Sequence, residues 1–139
     1  MTPQQNSLEP VTSEQRQTLL AVRNLLLPLH KLLLDRQRET YERVHGPVGG
    51  PGQFLPLVIG HEDFEWLRQL SGMIVEIDEA LAPRSKASTT EAETLIEKTG
   101  ELLRLKEDGT DFQRKYYQAV QDSPDVTIAQ CQMEKLLGL

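Results

Sequence analysis

Leu19, Val22, Leu26, Leu29 and Leu33 recur at alternating spacings of three and four, which is the period of one buried helix face. Thr12-Ser13-Glu14-Gln15 ahead of them reads as a capping box, with Thr12 as N-cap and Gln15 reaching back to it. Leu20, Leu25, Leu27, Leu32 and Leu34 widen the apolar stripe, so this helix is expected at the centre of the fold, covered on more than one side. Pro28 lies within it and predicts a kink, because proline lacks the N–H for the ladder and clashes with the preceding turn. The pattern then turns polar, leaving Tyr41 and Val44 on one face, and Gly46-Pro47 stops it.

Beyond that stop the apolar period returns five times. Pro51 suits the first turn of a short helix carrying Phe54, Leu55, Leu57, Val58 and Ile59, and Gly60 ends it. His61-Glu62-Asp63 opens a third segment with its acids at the positive end of the helix dipole. Its seam is Leu67, Leu70, Ile74, Ile77 and Leu81, with Phe64, Trp66 and Met73 beside it, and Pro83 marks its end. Residues 84–89 form a polar linker. Thr90-Glu91-Ala92-Glu93 reads as a second capping box ahead of Leu95, Ile96, Leu102 and Leu103, with Asp108-Gly109 as the stop. Thr110 opens a helix bearing Phe112, Tyr116 and Val120. Ser123-Pro124 restarts the chain into a last one bearing Val126, Ala129, Met133, Leu136 and Leu137. No alternating β-branched run long enough for a strand occurs, and no internal repeat. The fold expected is all-α: an antiparallel bundle of about four main helices with a kinked first helix and a Gly/Pro elbow, spanning residues 12–139 behind a flexible tail, residues 1–11.

Length and composition narrow the possibilities. A chain of 139 residues fits one domain, and 38% hydrophobic residues supply one modest core. No stretch is apolar enough to span a membrane. The start, Met1 to Ser7, has neither the basic residues nor the apolar run of a secretory signal. A lone Cys131 forms no internal disulfide and makes the cytosol the default compartment. The formal charge of −6 argues against nucleic acid, whose phosphates need a basic face. Arg36/Arg38/Arg43 and Arg104/Lys106 are interrupted by acids and read as solvated helix faces.

Candidate chemistry is sparse. Glu42 and His45 have the Glu-x-x-His spacing of di-iron bundles, but only in one copy at a helix end, where an imidazole complements the dipole. His30 lies roughly 20 Å along the helix axis from His45 at 1.5 Å per residue, so the three histidines, His30, His45 and His61, read as dispersed. No metal or cofactor is therefore expected. Cys131, next to no base, reads as a small hydrophobe. The glycines at 46, 49, 50 and 52 match neither phosphate-binding fingerprint, and read as a turn requiring positive φ. Phe64 and Trp66, two apart, do not share the centre of one α-helical face, so one is assigned to the core and the other to the elbow or a partner. The ends of two helices meeting at a short connection are neighbours, which groups His45, Gly49, Gly50, His61, Trp66 and Arg68 into one candidate interaction surface.

Leu29-His30-Lys31, Tyr41-Glu42-Arg43, the Gly-Pro elbow, Asp63 through Ser71, Ile77 through Leu81, Phe112, Tyr116 and Ser123-Pro124-Asp125-Val126 together resemble a family of small uncharacterised bacterial helical proteins. The resemblance covers most of residues 29–126. It implies a bacterial source and a module defined by the elbow and the Trp66 helix, and it brings no catalytic residues with it. The leading functional expectation is a non-catalytic protein-interaction or self-associating bundle. It would be a homodimer through the apolar surplus of residues 19–34 or through the Trp66 helix. The rival is a small-molecule- or metal-binding bundle, even an enzyme, using His30, His45 or His61.

Overall fold

The longest element, α1 (Ser13–His45), carries the fold: Leu19, Val22, Leu26, Leu29 and Leu33 are completely buried along one face of it. Its start is fixed by the reciprocal capping box, in which Gln15 N–H donates to Thr12 Oγ1 and Thr12 N–H to Gln15 Oε1, both at 3.1 Å. The helix runs unbroken across Pro28, which lies on the solvent side. In this computed structural model, which describes residues 9–139, five further α-helices follow. They are α2 (Pro51–Gly60), α3 (Arg68–Leu81), α4 (Thr89–Leu102), α5 (Asp111–Asp122) and α6 (Pro124–Leu137), with a 3-10 turn, Glu62–Leu67, between α2 and α3. Helix accounts for 79% of the structure, and among the described residues there is no strand. No described helix is long and apolar enough to cross a membrane.

The central position of α1 follows from the width of its apolar stripe. It packs against α3, α4, α6 and the 3-10 turn. The core is completed by Leu70 and Ile77 of α3, Leu103 just after α4, Phe112 and Tyr116 of α5, and Met133 of α6. Of the wider stripe, Leu25, Leu32 and Leu34 are partly buried against that core, and Leu20 and Leu27 stay exposed at 47% and 40%. The surplus expected on residues 19–34 thus shrinks to two leucines.

Three boundaries differ from the sequence reading, each for a tertiary reason. First, the segment opened by His61 begins as a 3-10 turn and becomes α-helical only at Arg68. At about 120° per residue instead of about 100°, residues two apart lie closer around the axis. Phe64 and Trp66 are accordingly both buried, the first against Tyr41 and Phe54, the second against Phe112. Second, α4 is capped by Ser88, whose Oγ accepts from Glu91 N–H at 3.2 Å, and not by Thr90. The chain just before it is already held, since Thr89 N–H donates to Glu9 O at 2.8 Å and Pro10 bridges Ser88. Third, α4 stops at Leu102, well before Asp108-Gly109. Gln113 Nε2 donates to Glu101 O at 2.9 Å and Gln130 Nε2 to Leu103 O at 3.0 Å, so side chains of α5 and α6 satisfy the terminal carbonyls. Of the expected tail, residues 1–8 lie outside the described residues. Val11 packs against the core.

Candidate functional site

The elbow is built where α1 runs out. Gly46 N–H closes the last turn onto Glu42 O at 2.8 Å, and Gly46 then takes φ +85° and Gly49 φ +91°. These left-handed values are costly for a residue with a Cβ, which accounts for glycine at both positions. Gly50 has an ordinary φ of −86° and serves as N-cap of α2, its N–H donating to Gln53 Oε1 at 3.1 Å. Two charged side chains of α1 hold the loop. Arg38 donates to Gly49 O at 2.8 Å and lies over the Phe54 ring at 4.8 Å, and Glu42 accepts from Val48 N–H at 2.8 Å. The Glu42 carboxylate, which also faces Arg38 at 3.5 Å, is thereby engaged in the loop and does not act with His45 as an inward metal pair.

Beyond α2 the chain returns to the end of α1 and sets His61 beside His45. Their ring centroids are 5.9 Å apart. Tyr41 joins them: it stacks on His45 at 4.3 Å, as the i,i+4 spacing on a helix allows, and meets His61 edge-on at 5.1 Å. His61 is also the N-cap of the 3-10 turn, its Nδ1 accepting from Asp63 N–H at 3.1 Å. Arg68 reaches back to donate to His61 O at 3.2 Å. Asp63 Oδ2 lies 3.8 Å from His61 Nδ1.

The residues expected to form one surface therefore divide. His45, Gly49, Gly50, His61 and Arg68 gather at the elbow. Trp66 does not: it is only 7% exposed, and its Nε1 donates to Gln37 Oε1 at 2.8 Å on the other side of the turn. There it lines a cleft of about 970 Å³ between α1, the 3-10 turn and α5. The cleft rim interleaves Arg36, Arg68 and Lys115 with Glu62, Asp63, Glu65 and Asp111, so it presents no single-sign field. Of the three histidines, read from the sequence as dispersed for a common site, His45 and His61 do meet, because α2 folds back and brings the second to the first, in keeping with their grouping at the elbow. His30 remains about 22 Å along α1 from His45 at 1.5 Å per residue. It is half-buried, and desolvation holds its pKa below the usual histidine value.

Tyr41, Arg38 and Asp63 were not singled out from the sequence. The Tyr41–His45 spacing was the one local signal available, while Asp63 was read only as a dipole-favouring acid. Compared with protein-family models, curated proteins and solved structures, the chain matches none.

Proposed function

We propose that this protein is a non-catalytic interaction module: an antiparallel bundle of about four main helices that presents α2 to a protein partner. The observation that carries this reading is the composition and exposure of α2. Among the described helices it alone has no charged residue, yet none of its residues is buried. Phe54, Leu57 and Val58 lean on the core, while Leu55 and Ile59, one turn apart on the opposite face, are 59% and 67% exposed. Scattered apolar residues are ordinary on a surface, but an uncharged apolar face on a chain that is 26% charged has the composition of an interface centre. An i,i+4 pair on a short helix suits an apolar groove on the partner, in the helix-in-groove manner.

A photo-crosslinking amino acid at position 55 or 59 tests the reading. It should give a discrete adduct that is absent when the same group is placed at Val75, which is 53% exposed on α3. Adduct masses equal to two copies of the chain would identify the partner as a second protomer. Equal labelling from both helices, or from neither, would refute the role assigned to α2.

A further inference from the structure

We propose that the elbow binds a divalent transition ion of the zinc type through His45, His61 and Asp63. Each of these side chains offers one donor atom, and the three donors lie within 4.8 Å of one another. Donors about 2.1 Å from a tetrahedral ion stand roughly 3.4 Å apart, so the approach required is about 1.4 Å at most. His45, exposed at the end of α1 and held by ring contacts with Tyr41 and His61 itself, has the freedom to make that movement. Two imidazoles and one carboxylate suit zinc, copper or nickel, whereas magnesium and calcium favour sites made of oxygen alone. Three protein donors leave one position for water.

The geometry also states what loading displaces. His61 Nδ1 accepts the Asp63 N–H, so the neutral ring carries its proton on Nε2. An ion at Nδ1 takes the lone pair that caps the turn, and an ion at Nε2 moves the proton to Nδ1, which then no longer accepts. Either route releases the Asp63 amide, so metal binding at this site is coupled to the first turn of the 3-10 segment. Arg68 keeps its hold on the His61 carbonyl, which is not involved. His45 and His61 also bracket α2, so a single ion would close the loop of residues 46–60 and restrict a helix that buries none of its own residues. The site stands on these side-chain positions alone and does not require that α2 dock a partner.

Titration of the untagged 139-residue chain with zinc chloride by calorimetry, and with cobalt(II) by visible absorption, tests the proposal without any partner present. One ion per chain is expected. His45→Ala and His61→Asn should each weaken binding at least about tenfold. The asparagine keeps an oxygen to cap the turn while removing the imidazole. The Asp63 amide resonance should shift on loading. Absence of zinc binding by the natural sequence would overturn the site, as would an affinity unchanged by His45→Ala. Should His61→Asn unfold the chain, His45→Ala decides, because its side chain is exposed and far-ultraviolet circular dichroism verifies its fold.

Discussion

Tyr116 shows how much one polar atom in the core can carry. Its ring is fully buried between Phe112 and the neighbouring helices, and its hydroxyl donates to Gln130 Oε1, while Gln130 Nε2 is committed to Leu103 O. Tyr116→Phe leaves that amide oxygen without a partner, and a loss of about 1–3 kcal/mol in urea denaturation at neutral pH is expected. Burial, with a smaller contribution from the charge of Glu134, raises the phenol pKa above the usual value of 10.0. A raised pKa means that the folded state keeps its proton where the unfolded chain loses it. The contribution of Tyr116 to stability should therefore be level below about pH 10 and fall above it, and the alkaline fall should be shallower in Tyr116→Phe. His30 works in the opposite sense. Its pKa is lowered from 6.5 by burial, so its contribution is present above about pH 6.5 and lost as the pH falls and the unfolded chain takes up the proton first. His30→Gln should flatten the acid side of the stability profile measured between pH 7 and pH 5. The sequence indicated that Tyr116 faced the core. It did not indicate Gln130 as its partner, since one helix period says nothing about which residue of another helix stands opposite.

Among the elements, α1 mixes its apolar seam with many charged residues while α2 has no charged residue at all, and their roles are very different. On α1 the seam residues are buried from both flanks, so Leu29→Ala should cost about 2–5 kcal/mol through lost contacts and the cavity left behind. On α2, Leu55→Ser and Ile59→Ser remove side chains that touch mainly water, and each should change the unfolding free energy by about 0.5 kcal/mol or less. A denaturation series across the three variants separates the two behaviours. A large loss at Leu55 would mean that α2 is part of the core. The 3-10 turn before α3 is a second element that the apolar period misread. Phe64 and Trp66 fit poorly on one α-helical face, and the chain resolves this by tightening the turn so that each enters a different part of the core.

At the scale of the whole molecule, whose formal charge is −6, the ion pairs are largely surface contacts, such as Lys31–Asp35 at 2.9 Å and Arg36–Asp122 at 2.7 Å. Such pairs contribute little individually, so the assembly depends on apolar faces and on which of them remain uncovered. If the chain self-associates, Leu55→Ser with Ile59→Ser should lower the mass measured by light scattering, while Leu20→Ser with Leu27→Ser on α1 should leave it unchanged. The reverse result would restore the leucine-rich helix as the interface.

The sequence by itself determined the helical class, the start of α1, the apolar seams of α1 and α3, and the turn at Gly46 and Gly49. Each of these depends on interactions within one turn or on the 3.6-residue repeat, both of which are written locally. Only the tertiary structure decided that α4 ends at Leu102, that Trp66 lies inside, and that Asp63 joins His45 and His61. Those outcomes depend on side chains brought from distant parts of the chain: Gln113 and Gln130 on the carbonyls after α4, Phe112 and Gln37 on the indole, and α2 folding back across the elbow. A local pattern specifies how each segment coils and which face it hides, but not which other segment will cover that face.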